Sequence, residues 1–373
     1  MNPIGIKRWM NMNQEFNLED YLTSGVEWLV KDAIRTTLKN PRESTFLAKY
    51  ALASKKANTI RHKLEMEGEH IPPFLIASIT STCNLHCKGC YARANHSCGD
   101  QEDKKQLSEK EWDKIFKESA ELGIAFILLA GGEPLIRKDV IEAAAQYKNI
   151  IFPVFTNGTM INKDYLTVFN QNRNLIPVIS MEGGEISTDD RRGNGIYQTI
   201  INSMESMKEK GILFGTSITV TKDNMTEVTD KAYLDNLYQH GCKLVFFVEY
   251  VPVDEQTGNL APDDRDREYM EERLNALRET ASHMIYISFP GDEKASGGCL
   301  AAGRGFFHIN AHGGAEPCPF SPYSDTNMKN TSLKEALKSP LFQKLKENHS
   351  LLNEHTGGCA LFEQQEFVES LLR

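Results

Sequence analysis

Short apolar runs at residues 74–80, 124–129, 150–155, 175–180, 212–220 and 244–250 alternate with amphipathic stretches along the middle of the chain. Runs this short suit buried strands, and the helical periodicity between them suits crossover helices. Repeated strand–helix steps build parallel β/α units with right-handed connections. Six units fit between residue 74 and about residue 283, fewer than the eight of a closed TIM barrel, so the sequence predicts an α/β fold: an open, partial (β/α)6 TIM-like barrel. Ser108 with Glu111 reads as a capping box that opens the first intervening helix, and Gly123 and Gly211 stand where helices should stop.

The chain ahead of this pattern is different. Leu18, Tyr21, Leu22, Val26, Leu29, Ala33, Ile34 and Leu38 recur at helical spacing until Asn40-Pro41, a second helix is expected over residues 43–57, and Pro72-Pro73 closes the segment. Residues 1–73 therefore read as a helical segment capping the barrel of residues 74–283. Residues 284–373 form a small C-terminal region, in which Phe306, Phe307 and Ile309 lead into a Gly313-Gly314 turn and residues 332–348 are helical.

Composition narrows the function classes. A net charge of -9 over 373 residues leaves no surplus of Lys and Arg for a general nucleic-acid or membrane-surface binder. No apolar stretch approaches the roughly 20 residues of a membrane helix, and residues 1–17 lack the apolar core of a secretory signal. The expected location is the cytoplasm, where cysteines serve metals or catalysis more often than disulfides. Six of the eight fall into two sets, Cys83, Cys87, Cys90 and Cys299, Cys318, Cys359, with Cys98 and Cys242 left over. Cys242, just ahead of a strand, reads as a core residue.

The first set lies in Cys83-Asn84-Leu85-His86-Cys87-Lys88-Gly89-Cys90, directly after the first strand. Three thiolates on one tight loop can hold three corners of an iron–sulfur cube and leave its fourth iron open. Structural zinc and plain core cysteines are the alternatives, although zinc favours four closed ligands in paired C-x2-4-C spacing. Gly131-Gly132-Glu133-Pro134 follows the second strand, Thr156-Asn157-Gly158 the third, and Ser180 to Gly184 the fourth. Loops after strands carry the chemistry of such barrels, so four distinctive loops converge on one rim.

With these motifs in this order, the chain resembles the radical S-adenosylmethionine (SAM) superfamily over about residues 74–260, with a tail similar to the SPASM or twitch type over about 295–362. The resemblance implies that Cys83, Cys87 and Cys90 bind a 4Fe-4S cluster whose free iron chelates SAM. One electron then splits the sulfonium into methionine and a 5'-deoxyadenosyl radical, which abstracts a substrate hydrogen. It further implies SAM contacts from Gly131, Gly132, Glu133, Pro134, Thr156, Asn157, Ser180 and Arg192, with Glu133 meeting the ligand ammonium and Arg192 its carboxylate. Two positions depart from the family pattern. Gly89 stands where an aromatic is common, leaving Tyr91 as a candidate for the adenine environment, and Ser180-Met181-Glu182-Gly183 replaces Ser-Leu-Asp-Gly, so that Glu182 becomes a candidate substrate contact beside Glu249 and Tyr250.

In the tail, the resemblance implies an auxiliary iron–sulfur cluster on Cys299, Cys318 and Cys359, truncated to three cysteines, with its fourth site open or filled by His355, His312 or Cys98. An open auxiliary iron would bind substrate, and a closed one would relay electrons. Two filled clusters would give about eight irons per chain. The implied substrate is a peptide or protein side chain, a tetrapyrrole or a small metabolite, and the implied electron donor is a flavodoxin or ferredoxin. The competing class is an iron–sulfur redox sensor or binding protein without SAM turnover.

Overall fold

The computed structural model describes residues 18–37, 40–101, 103, 105–252, 255–280, 283–296, 298–348 and 359–373. Residues 1–17, Leu38, His355 and Gly357-Gly358 lie outside the described residues.

Seven parallel strands follow one another across the sheet: β1 (Phe74–Thr80), β2 (Phe126–Gly131), β3 (Phe152–Thr156), β4 (Leu175–Met181), β5 (Gly215–Val220), β6 (Leu244–Glu249) and β7 (Ile285–Phe289). The six apolar runs thus each become a strand. The sheet is larger than six, however. β7 adds to the edge of β6, while β8 (His308–Ile309) adds parallel to β1 and carries β9 (Ala315–Glu316) as an antiparallel partner. The sheet is one continuous array in the order β7-β6-β5-β4-β3-β2-β1-β8-β9, open at both edges. Phe155 of β3 and Phe246 of β6 are not on neighbouring strands, yet their rings meet edge-on at 5.1 Å. Only a curled sheet brings them together across its concave interior, as in a partial barrel.

The front segment closes the end of the barrel opposite the cysteine loop. Helix α1 (Leu18–Thr36) packs on α2 (Pro41–Met66), and α2 starts with Asn40 capping the Glu43 amide. Helix α2 runs beyond the expected residue 57 because Lys, Leu, Ala and Arg are good helix formers even where apolar periodicity fades. Val30, Leu47 and Tyr50 pack against Ile151, Ile176 and Leu213 at the starts of the strands. Full burial of Leu47 and Tyr50 is worth about 1.5–3 kcal/mol for each side chain. Tyr50 donates to Ala125 O at 2.7 Å, and Arg61 donates to Gly123 O at 2.5 Å. Gly123 ends the helix Glu109–Leu122 in the left-handed conformation, and a Cβ there would lie 2.4 Å from Ala57 O of α2. The same helix begins with the expected capping box of Ser108 and Glu111.

Among the described residues, no helix is long and apolar enough to cross a membrane.

Candidate active site

The cysteine loop leaves β1 at Thr80 and is closed on itself by backbone bonds, Cys83 N to Gly99 O at 2.9 Å and Gly99 N to Ser81 O at 2.8 Å. Arg93 holds its interior. Its guanidinium donates to Leu85 O at 3.0 and 2.7 Å, to Cys83 O at 3.3 Å and to Asp100 at 2.8 Å. Nothing in the spacing of the sequence marks Arg93, since an arginine in a polar loop is unremarkable until the loop folds over it. From the far side, Lys88 N donates to Arg191 O at 2.9 Å and Arg191 Nε returns a bond to Lys88 O at 3.1 Å. The loop after β4 thereby grips the loop after β1.

The glycine pair sits against the root of the cysteine loop. A Cβ on Gly131 would lie 2.3 Å from Thr80 O, and one on Gly132 would lie 2.1 Å from Thr82 O. The missing Cβ atoms make room for the chain's own backbone: Gly132 N donates to Thr80 O at 2.9 Å and Glu133 N to Thr82 O at 2.8 Å. Glycine is needed to seat the end of β2 against the root of the cysteine loop, and Gly131 also has φ +119°.

Glu133 is buried beneath this contact and joins the next loop. Its carboxylate accepts from Thr156 Oγ1 at 2.7 Å, Asn157 N at 2.7 Å and Leu135 N at 3.0 Å. Burial pushes the carboxyl up, while these three donors pull it down. A carboxylate offers about four acceptor sites, so room for one further donor remains. Pro134 is buried at the start of a short 3₁₀ turn. Asn157 Nδ2 reaches Asn84 Oδ1 at 2.8 Å, so the third rim loop also ties into the cysteine loop.

On the fourth loop, Glu182 is buried and paired with two arginines. Its Oε1 accepts from Arg191 Nη1 at 2.7 Å and from Arg192 Nε at 2.9 Å, with Arg192 Nη2 closer still, and its side chain is 3% exposed. Two adjacent guanidiniums on the short helix Glu185–Arg192 draw it inward. Arg192 accordingly commits its Nε and Nη2 edge to Glu182 instead of presenting a free fork, while Nη1 lies 4.0 Å from Cys87 Sγ. Glu182 Oε2 is buried with no hydrogen-bond partner among the described residues. Ser180 is half-buried on β4, in register with Ser217 of β5.

Tyr91 meets the tail. Its ring lies 4.8 Å from that of Phe320, two residues past Cys318. The space beside Gly89 belongs to Tyr250, at the end of β6. A Cβ on Gly89 would meet Tyr250 Oη at 2.5 Å, and that hydroxyl pairs with Thr257 Oγ1 at 2.6 Å. Tyr250 is thus a wall of the cysteine loop. Glu249 beside it pairs with Arg267 at 3.0 and 2.8 Å.

The second cysteine set converges as well. Cys299, Cys318 and Cys359 line one cavity with Glu249, Glu293 and Phe320, and the β8–β9 hairpin brings the first two together as expected. Two of the proposed fourth groups lie elsewhere: Cys98 is hydrogen-bonded to Cys90, and His312 to Asp103 at 2.8 Å. Cys242 is fully buried, and burial pushes its thiol up to about 11.

Each set contains one thiol poised to ionise. The bond from Cys98 holds Cys90 below the ordinary thiol range, whereas burial pushes Cys83 and Cys87 up. In the tail, the bond from Cys318 lowers Cys359 and raises Cys318. Among the described residues, no three His, Cys, Asp or Glu side chains gather closely enough for one mononuclear ion. Each iron of a cubane takes its own thiolate, so its ligands stand further apart.

A polar chain missing from the sequence reading opens on the concave face. Ser78 Oγ meets His308 Nε2 at 2.7 Å, His308 Nδ1 meets Glu316 Oε2 at 2.7 Å, and Asn310 Nδ2 donates to Glu316 Oε1 at 2.5 Å. The registers Ile76↔His308 and His308↔Glu316 set these residues on one side of the sheet.

Residues 77–232 match the family described as the Radical SAM superfamily. The chain is 26% identical over 318 residues to an AdoMet-dependent heme synthase of Methanosarcina barkeri, covering 78% of this chain and 88% of that protein. It is 26% identical over 223 residues to the Fe-coproporphyrin III synthase of the same organism, of which it spans only 54%. To the mycofactocin maturase MftC of Mycolicibacterium smegmatis it is 24% identical over 313 residues, covering 79% of this chain and 76% of that one. The crystal structure of Streptococcus suis SuiB bound to S-adenosylmethionine superposes with a TM-score of 0.65 at 17% identity, covering 84% and 78% of the two chains, which is a likeness of fold. A cysteine loop rooted on the first strand of a curled parallel sheet and gripped by the rim loops of its neighbours agrees with the sequence match: the chain carries a radical SAM domain over residues 77–232 and is homologous to enzymes of that superfamily.

Proposed function

We propose that Cys83, Cys87 and Cys90 hold a 4Fe-4S cluster at which SAM is reductively cleaved, so that the enzyme abstracts hydrogen from an unactivated carbon of its substrate. The observation that carries this reading is the loop itself: three thiols on one turn, fixed by Arg93 and gripped by Asn157, Arg191 and the Gly131-Gly132 crossing. The cofactor, when bound, supplies one electron to the sulfonium and yields the hydrogen-abstracting 5'-deoxyadenosyl radical.

The residues present fit such a ligand. Glu133 keeps one acceptor site, and the buried Oε2 of Glu182 lacks a donor. A ligand ammonium or ribose hydroxyls would satisfy both. Arg192, held by Glu182 with Nη1 toward Cys87, places fixed positive charge beside the thiolates. Thr156 and Asn157 serve as the joints that fix Glu133 and Asn84.

The tail thiols Cys299, Cys318 and Cys359 are the ligands of an auxiliary cluster, and the tilted rings of Tyr91, next to Cys90, and Phe320, two residues past Cys318, meet at 4.8 Å. A flavodoxin or ferredoxin supplies the electrons. The substrate is a tetrapyrrole side chain, a reading supported by the heme synthase that aligns over most of both chains. A peptide substrate is the second reading, favoured by the likeness to MftC. The test is anaerobic reconstitution followed by incubation with SAM, reductant and either a porphyrin bearing propionates or candidate peptides. Porphyrin-dependent acceleration of SAM cleavage with loss of mass from the porphyrin supports the first reading, and acceleration by peptide alone overturns it in favour of the second.

A further inference from the structure

We propose that Glu293 is the fourth protein ligand of the auxiliary cluster, closing it with a carboxylate oxygen. This rests on the auxiliary-cluster reading of Cys299, Cys318 and Cys359.

Glu293 is an unremarkable acid in the sequence, six residues ahead of Cys299 in the 3₁₀ turn Gly291–Ser296. Folding takes it out of water entirely. It is 5% exposed and lines the same cavity as the three thiols. The Leu300 amide bonds its carboxylate, yet Oε1 is buried with no hydrogen-bond partner among the described residues. Buried carboxylate oxygens are strongly disfavoured without a donor or a metal, so this atom is the unmet demand of the cavity. The other acid in the wall, Glu249, is already paired with Arg267. Three thiolates and one carboxylate make a complete set of four for a cubane, with Arg304 bonded to Cys299 O and Ser296 O adding positive charge alongside the anionic ligands.

A closed cluster offers no iron to a substrate. The auxiliary cluster then carries electrons between the tail and the barrel.

The test uses the full chain with Cys83, Cys87 and Cys90 all changed to Ala, so that only the tail cluster assembles on anaerobic reconstitution. The parent should hold about four irons and keep them through mild ferricyanide oxidation. Glu293→Ala on that background should lose one iron on the same treatment and show the paramagnetic signal of an oxidised three-iron cluster. Glu293→Cys should restore the four-iron cluster and shift its midpoint potential to more negative values, because thiolate donates more electron density than carboxylate. Iron content, spectrum and potential of Glu293→Ala and Glu293→Cys that match the parent would overturn the proposal, and the Cys variant decides the matter if the Ala variant does not fold. A parent that takes up no iron would instead overturn the auxiliary-cluster reading itself.

Discussion

Gly89 and Tyr250 are far apart in sequence, and their contact predicts a specific energetic coupling. Gly89 has φ +63°, where a residue with a Cβ costs about 1–2 kcal/mol. In Gly89→Ala the new Cβ would lie 2.5 Å from Tyr250 Oη and 3.1 Å from its Cε2 and Cζ. Crowding against a ring that is itself 3% exposed and tethered to Thr257 adds about 1–3 kcal/mol. Tyr250→Phe alone removes the clashing oxygen together with its hydrogen bond, at about 1 kcal/mol. The double variant keeps the backbone strain but relieves the crowding, so it should be about 1–2 kcal/mol more stable than the sum of the single effects predicts. Urea unfolding of the three variants and the parent as reduced apoprotein measures this directly. Additivity within about 0.5 kcal/mol would refute the reasoning, since it would mean that the tyrosine does not fill the space beside Gly89.

Three further outcomes follow from the same geometry. In the reduced apoprotein, iodoacetamide labelling of Cys90 should rise and level off below the pH range of an ordinary thiol, because Cys98 stabilises its thiolate, whereas labelling of Cys83 and Cys87 should still be rising in the alkaline range; Cys98→Ala should move the Cys90 midpoint up, as read by peptide mass spectrometry. His308→Ala removes one partner of a buried pair and should cost about 3 kcal/mol by denaturant titration, with His308→Gln losing less. Tyr50→Phe removes one of two donors to the buried Ala125 carbonyl, which keeps the Ile151 amide, and should cost about 0.5–1.5 kcal/mol while leaving SAM cleavage unchanged, because it acts at the closed end of the barrel.

The strands were legible because each is a local apolar run, and the cysteine loop because its spacing is local too. β7 and β8 were missed as members of the sheet: β8 is two residues long and makes no run, and its pairing with β1 is a long-range event. Spacing likewise conveyed that Gly131-Gly132 matters but not why, since the object it accommodates is the backbone of Thr80 and Thr82. Arg192 and Glu182 were both singled out, but their mutual pairing depends on the turn between β4 and the following helix. Glu293 had no signal at all. Its significance comes from burial, which a turn rich in polar residues gives no reason to expect.

The central claim is that the Cys83–Cys87–Cys90 loop cleaves SAM, and the most direct measurement is 5'-deoxyadenosine release by the anaerobically reconstituted chain given SAM and a strong reductant. The account predicts 5'-deoxyadenosine together with methionine from the parent and none from variants in which any of the three cysteines is changed to Ala. A fully iron-loaded parent that releases none, with porphyrin or peptide substrates present or absent, would contradict it.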